Sequence, residues 1–149
     1  MAKQTVLDTL LELAQRDTDD AAKRLGVALK AAEETEQKLQ MLLGYLEDYA
    51  QKLDAAQRNG ITPMAYANFI AFIGKLEHAI MGQREIVKHA HHRSAVEKGL
   101  WQASERKRVS YRTLNERAAT EALRLENKRD QKQMDEHAAR QAYFKSNPR

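Results

Sequence analysis

The chain has 149 residues, of which 31% are charged and 42% hydrophobic, and its formal net charge is +4 at pH 7. Two prolines and six glycines are too few for the many turns of a β-sandwich or an α/β fold, so we expect an all-α protein. The absence of cysteine excludes disulfides, thiolate zinc sites and cysteine nucleophiles. No stretch approaches the ~18 uncharged apolar residues of a membrane helix, and the charged N-terminal segment is not typical of a secretory signal.

The charge is unevenly distributed along the chain. Residues 1–60 contain 8 Lys/Arg and 11 Asp/Glu, whereas residues 61–149 contain 17 and 10. A basic half is typical of a protein that meets an acidic partner, such as nucleic acid, anionic lipid or an acidic protein surface. An acidic and a basic segment can equally pair with each other within one hairpin. Charge alone leaves both interpretations open.

Apolar residues recur at alternating spacings of three and four through the first part of the chain. Of fifteen consecutive positions, thirteen are apolar and two are threonine. These positions are Leu7, Leu11, Ala14, Thr18, Ala21, Leu25, Ala28, Ala32, Thr35, Leu39, Leu42, Leu46, Tyr49, Leu53 and Ala56. A 3.5-residue repeat of this length predicts a coiled-coil helix, which we place at about residues 4–58.

The pattern breaks once, at Asn59-Gly60-Ile61-Thr62-Pro63. Glycine suits the left-handed position after a helix, threonine is a good N-cap, and proline fits the first position of a helix. We therefore predict a turn at 59–62 and a second helix that begins at about residue 63. A connection this short makes the two helices antiparallel neighbours.

The second helix has the same spacing at first and a looser one later. Its early seam positions are Tyr66, Phe69, Ile73, Leu76, Ile80, Gln83, Val87 and Ala90. The later spacing at Leu114, Ala118 and Ala122 predicts a stutter, at which the supercoil relaxes. The second helix is expected to extend to about residue 142, followed by a frayed tail at 143–149.

The predicted fold is a single coiled-coil domain over 1–149, an antiparallel α-hairpin whose second helix is the longer. A bend near residue 61 pairs residues whose numbers sum to about 121, so the first helix ends opposite about residue 117 and everything after Ala118 lacks a partner. At about 1.5 Å per residue the helices are roughly 80 and 115 Å long, which predicts a rod with an overhanging C-terminal arm.

The sequence contains no catalytic constellation, and we expect no enzymatic activity and no cofactor. His89, His91 and His92 are the one candidate metal cluster, but no neighbouring carboxylate or thiolate completes a site, so no metal is predicted. The basic run at 106–108, near Trp101 and Tyr111, could follow a phosphate backbone, although Glu105 weakens that interpretation. A generic coiled-coil scaffold, or a basic helical protein that binds nucleic acid, is therefore the alternative function.

More apolar surface lies beside the turn than a two-stranded seam can bury. The pairing rule sets Tyr45 opposite Leu76, Tyr49 opposite Phe72, and Leu42 opposite Ala79. We call these six residues the aromatic strip, and we expect it to be partly exposed and to contact another protein. A small local core, or pairing with a second copy of the chain, would also account for it.

Several short motifs of this sequence together resemble the FliJ family, the small soluble component of the flagellar type III export apparatus. The motifs are Leu10-Leu11 with Ala14, Asp19-Asp20-Ala21-Ala22, Leu25-Gly26, Lys38-Leu39-Gln40-Met41-Leu42 with Tyr45 and Tyr49, Asn59-Gly60-Ile61, Phe72-Ile73, Leu76-Glu77, Glu126-Asn127, Asp130-Gln131-Lys132 and Met134-Asp135-Glu136. The resemblance extends over nearly the whole chain, and its most specific part is the cluster at 126–136.

The resemblance implies a fold similar to the shaft subunit of rotary F-type ATPases. It further implies a non-enzymatic component of flagellar type III protein export that binds the hexameric export ATPase as a central stalk. The implied partners also include the linker of the export-gate protein FlhA and the flagellar export chaperones, with no nucleic acid. The implied location is cytoplasmic, peripheral at the cytoplasmic face of the inner membrane near the flagellar base.

The resemblance also assigns residues. The gate-binding strip of the family falls on the aromatic strip, although Lys38 and Gln83 replace a glutamine and a histidine of better-known members. The ATPase is expected to bind what we call the terminal surface, which combines residues near both chain termini. It consists of Leu10, Leu11, Ala14, Asn127, Asp130, Gln131, Met134, Asp135 and Glu136.

Overall fold

The chain forms two long α-helices joined by a short turn. A computed structural model describes residues 2–147, with side chains from Thr5 to Asn147. Helix α1 spans Ala2–Asn59 (58 residues) and helix α2 spans Pro63–Ser146 (84 residues), and no strand occurs in this range. The two helices pack against each other, and α2 is the longer. The all-α class and the helical pairing predicted from the sequence are therefore confirmed.

The turn has the chemistry that its sequence indicates. Gly60 has a positive φ of 92°, a conformation that costs glycine little because it has no Cβ. The hydroxyl of Thr62 accepts a hydrogen bond of 3.2 Å from the backbone N–H of Ala65, and the carbonyl of Thr62 accepts one of 3.0 Å from that of Tyr66. Thr62 thus caps α2, and Pro63 occupies its first position.

Residues 19–103 form one packing unit, in which the two helices run antiparallel. Its buried apolar side chains are Ala21, Ala28, Ala32, Leu39, Leu76 and Ile80. Three of the four from α1 are alanines, so bulkier side chains on α2 can approach the α1 backbone. Gln83 is also buried, and its side-chain amide donates a 3.0 Å hydrogen bond to the carbonyl of Thr35.

Two contacts between the helices fix the register within this unit. The ring of Tyr49 stacks on that of Phe72 with 4.3 Å between the centroids, and Nε of Arg24 lies 3.6 Å from Oε2 of Glu97. Both pairs join residues whose numbers sum to 121, the value predicted from the position of the turn. The predicted register is thereby confirmed in residues 19–103.

The second unit comprises residues 2–18 of α1 and residues 104–147 of α2. Ala14 and Thr18 are buried here, and the Thr18 hydroxyl donates a 2.8 Å hydrogen bond to the carbonyl of Ala14, which satisfies it inside the seam. On α2 the last side chain that is not exposed is Ala118. Every side chain from residue 119 to 147 is exposed, as the pairing rule predicts for the part of α2 that α1 cannot reach.

The C-terminal end of α2 extends beyond the predicted boundary at residue 142. The helix continues to Ser146, whose hydroxyl donates a 3.0 Å hydrogen bond to the carbonyl of Tyr143. The backbone N–H of Asn147 donates to the same carbonyl at 3.0 Å. The segment assigned to a frayed tail is thus helical at 143–146, and its last two residues lie outside the described range.

Burial confirms the α1 seam and corrects two positions on α2. All fifteen predicted positions of α1 are buried or half-buried. On α2, Tyr66 is exposed and Ala65 is half-buried in its place, while Leu114 is exposed and Asn115 is half-buried. The 3-4 spacing therefore passes through Asn115 to Ala118 without the predicted stutter. Beside the turn, the half-buried Ala65, Phe69 and Ile73 are spaced 4-4 instead.

Candidate protein-interaction surfaces

The aromatic strip lies on α1 and α2 within residues 19–103. Tyr45 is 49% exposed and Phe72 is 40% exposed, and Ala79 is also exposed. Leu42 and Tyr49 are half-buried beside the seam. A two-stranded seam covers only one face of each helix, so side chains at the flanking heptad position stay partly in water.

Tyr49 is the centre of the strip. Its ring stacks on Phe72 at 4.3 Å and meets Phe69 edge-on at 6.4 Å. The ammonium of Lys52 lies 5.1 Å from the centroid of the Tyr49 ring, within the range of a cation–π contact. These contacts leave a shallow groove lined by Tyr49, Ala65, Asn68, Phe69 and Phe72. Aromatic rings held in this way offer apolar contact area that is already ordered.

Leu76 differs from the other members of the strip. It is only 8% exposed and belongs to the core between the helices, although partial exposure is expected from its place in the strip. The reason is that Leu76 occupies a seam position of the heptad, whereas Phe72 and Ala79 occupy the flanking position. The accessible part of the strip is therefore Tyr45, Phe72 and Ala79, with Tyr49 and Leu42 at its edge.

The sequence interpretation missed an extension of this flanking position. Ile86 and Leu100 follow Phe72 and Ala79 at multiples of seven residues, and they are 52% and 50% exposed. The signal for both residues is in the sequence, because the flanking position recurs every seven residues along α2 from Phe72.

The terminal surface is split in the structure. Leu10 and Leu11 are half-buried and Ala14 is buried, so the α1 group belongs to the packed seam. The six α2 residues at 127–136 are all exposed, and Met134 presents 68% of its surface. Gln131 donates a 3.2 Å hydrogen bond to Asp135, one turn further along. No hydrogen bond or ion pair in the described part of the chain joins the α1 group to the α2 group.

The basic run at 106–108 is partly neutralised by its own helix. Nε of Arg108 donates a 3.0 Å hydrogen bond to the carboxylate of Glu105, and the ammonium of Lys107 lies 6.0 Å from the ring centroid of Tyr111. The hydrogen bonds from Arg108 hold the pKa of the Glu105 carboxyl below its ordinary value. One of the three cations is thus committed to a carboxylate, as the sequence indicates.

The histidine cluster does not gather ligands. Nε2 of His91 lies 2.7 Å from a carboxylate oxygen of Glu36 on the facing helix. Among residues 2–147, no group of three or more histidine, aspartate or glutamate side chains could hold a metal ion. The pair is instead a polar contact at the rim of the seam.

Comparison with known proteins identifies the family. A family model described as "Flagellar FliJ protein" matches residues 3–147. The chain belongs to the FliJ family. Two FliJ relatives, the flagellar FliJ proteins of Escherichia coli and Salmonella typhi, are each 34% identical over 145 residues, covering 97% of this chain and 99% of theirs. Membership of the FliJ family makes the chain a component of flagellar protein export.

A solved structure supports the fold. A putative YscO homolog from Chlamydia trachomatis matches with a TM-score of 0.72 over 100% of this chain and 96% of that one, at 14% identity. At this identity the likeness concerns the fold of the FliJ chain alone. Neither helix, over the residues described, has a segment long and apolar enough to cross a membrane.

Proposed function

We propose that this chain is a non-enzymatic subunit that links the flagellar export ATPase to the export gate. In this proposal the terminal surface binds the ATPase hexamer as a central stalk, and the aromatic strip binds the linker of FlhA. The chain also assists recycling of export chaperones. It acts in the cytoplasm, peripherally at the inner membrane near the flagellar base. Membership of the FliJ family supports this assignment.

The exposed aromatic pair of the strip carries the gate-binding part of the proposal. Tyr45 exposes 49% of its surface and Phe72 exposes 40%, while Tyr49 stacks on the Phe72 ring. Partly exposed aromatic side chains on a rigid support are typical of residues that dominate protein–protein binding energy. Because packing between the two helices already orders these side chains, little conformational entropy is lost when a partner binds.

The unpaired part of α2 supports the ATPase-binding part. Residues 119–147 expose every side chain, and a helix without tertiary packing is only marginally stable in water. Enclosure in the pore of an ATPase ring would supply the packing that α1 does not.

The gate contact is tested with purified FlhA linker on a biosensor surface. Tyr45→Ala combined with Phe72→Ala should weaken binding by about tenfold or more while circular dichroism stays unchanged. Met81→Ala combined with Val96→Ala is the matched control, because it also removes two exposed apolar side chains, outside the strip. Unchanged affinity of the strip variant, an equal loss in the control, or a collapse of helicity in the strip variant would each overturn the assignment.

A further inference from the structure

A second groove lies between the helices in residues 19–103, away from the strip described above. From α1 it is lined by Lys23, Arg24, Val27, Ala28 and Ala31, and from α2 by Arg93 and Glu97. Its floor is apolar because Ala28 is buried and Ala31 is small, while Val27 stands at its edge with 70% of its surface exposed. The alanines of α1 leave this depression because they do not fill the space beside the seam.

The groove has an excess of positive charge. Three of its seven lining residues are cations and only Glu97 is acidic. The carboxylate of Glu97 faces Arg24, with 3.6 Å between Oε2 and Nε. Lys23 and Arg93 line the groove and make no ion pair or hydrogen bond with any residue that the structure describes.

One residue of the groove lining carries an unsatisfied acceptor. Oε2 of Glu97 is buried but accepts no hydrogen bond from the described residues, since the Arg24 contact is too long for one. That oxygen is enclosed by the packed helices and lies beside Arg24, so it belongs to the interior of the unit and not to the open surface of the groove. The groove therefore offers a partner an apolar floor and two cations without an ion-pair partner.

We propose that this groove binds an amphipathic helix with acidic flanks, supplied by a partner protein. A third helix fits a groove between two helices by the usual ridge packing, with an apolar side chain over Ala31 and Val27. Acidic residues on its flanks would pair with Lys23 and Arg93. A second copy of the chain fits less well, because pairing the two grooves would place Lys23 and Arg93 of one copy against the same cations of the other.

The groove lies on the face that carries the aromatic strip. Ala31 and Tyr45 occupy the same heptad position of α1, and Arg93 and Phe72 the same position of α2. The proposed helix would thus bind on the same face as the proposed FlhA contact, farther from the turn, and without using the same residues. The proposal stands whether or not the strip binds FlhA.

The test uses a fluorescein-labelled peptide of about three heptads, with leucine at a and d and glutamate at e and g. Repulsion between glutamates keeps this peptide from pairing with itself. The full-length chain should bind it with an affinity that falls as salt rises. A second peptide with lysine in place of every glutamate should bind at least about tenfold more weakly, because it faces like charge.

Variants locate the binding. Lys23→Glu with Arg93→Glu should lower affinity for the acidic peptide by about tenfold or more and raise affinity for the basic one. Lys30→Glu with Lys98→Glu is the matched control, with the same change in net charge outside the groove, and should bind as the parent does. The variant Tyr45→Ala with Phe72→Ala should also bind the acidic peptide normally.

Three results would overturn the proposal. The first is equal binding of both peptides, and the second is loss of binding in the strip variant but not in the groove variant. The third is sedimentation equilibrium showing a dimer of the full-length chain that Lys23→Glu with Arg93→Glu dissociates, which would assign the groove to a second copy.

Discussion

The ring of Tyr49 on α1 lies 4.3 Å from the ring of Phe72 on α2, tilted by 35°. The two residues belong to different helices, so the contact fixes how the helices are aligned near the turn. It also supports one of the two exposed aromatic side chains of the strip. The Tyr49–Phe72 pair therefore contributes both to the stability of the fold and to the proposed recognition surface.

The stacking of Tyr49 on Phe72 should be measurable as a coupling energy. In a double-mutant cycle of Tyr49→Ala and Phe72→Ala, each single change should lower the free energy of unfolding, and the double change should cost less than their sum. We expect a coupling of about 0.5–1.5 kcal/mol from chemical denaturation. Tyr45→Ala with Phe72→Ala serves as the control cycle, and equal couplings in the two cycles would contradict a specific Tyr49–Phe72 contact.

The alanine seam should tolerate no larger side chain at Ala21, which is 0% exposed. Ala21→Leu should lower the free energy of unfolding by about 1–3 kcal/mol, because the backbones must separate to make room. Ala22→Leu adds the same atoms at an exposed neighbour and should change the melting temperature little. If both variants melt at the temperature of the parent chain, the helices do not pack closely at this layer.

The buried Gln83 should limit stability rather than supply it. Its amide is hydrogen-bonded to the carbonyl of Thr35, which as a helical residue has a backbone partner of its own. Gln83→Leu should leave the free energy of unfolding unchanged or raise it by about 1 kcal/mol, because an apolar side chain of similar size avoids burying an amide. Gln83→Ala should lower it by about 1–3 kcal/mol through the cavity. Equal losses in both variants would show that the hydrogen bond itself is a net stabiliser.

The Glu105–Arg108 pair makes a pH-dependent contribution to stability. The pKa of Glu105 is lower in the folded chain than its ordinary value of 4.5, so its stabilising effect is present above that value and is lost as the pH falls through the folded pKa. Glu105→Gln should therefore melt at a lower temperature than the parent chain at pH 7, and the difference should vanish in strong acid.

Glu121 provides the control for that experiment. It is paired with Arg124 at the same spacing, and this hydrogen bond likewise lowers its pKa. The pair lies in the unpaired part of α2, so Glu121→Gln should not change the main melting transition at either pH. A pH-independent effect of Glu105→Gln would mean that the carboxylate charge is not what stabilises the chain.

Much of this fold follows from the heptad pattern and a single turn. Thirteen apolar residues at strict spacing specify α1, and Gly60-Ile61-Thr62-Pro63 specifies where the chain reverses. The position of the turn then sets the register that the Tyr49–Phe72 contact shows. The sequence wrongly placed Leu114 in the seam, because an apolar residue next to a seam position has the same hydrophobic pattern as a seam residue. The half-buried residue is Asn115, which is polar and therefore does not appear in a hydrophobic repeat.

The candidate surfaces followed from the sequence less completely. Exposure of Tyr45 and Phe72 follows from the limited width of a two-stranded seam, and burial of Leu76 follows from the seam position that the 3-4 spacing gives it, not from its place in the strip. The groove at Lys23 and Arg93 depends on small side chains on one helix facing charged ones on the other. Only the pairing of the two helices brings those residues together.

Removal of the unpaired end of α2 tests most directly the proposal that this chain binds the export ATPase through its terminal surface. Among the residues that the structure describes, a truncation ending at residue 118 retains every buried or half-buried side chain, so it should melt at nearly the same temperature as the full-length chain. Calorimetric titration against the purified ATPase hexamer should give an affinity at least about tenfold weaker for the truncation. Equal affinity of the truncation and the full-length chain would contradict the proposal.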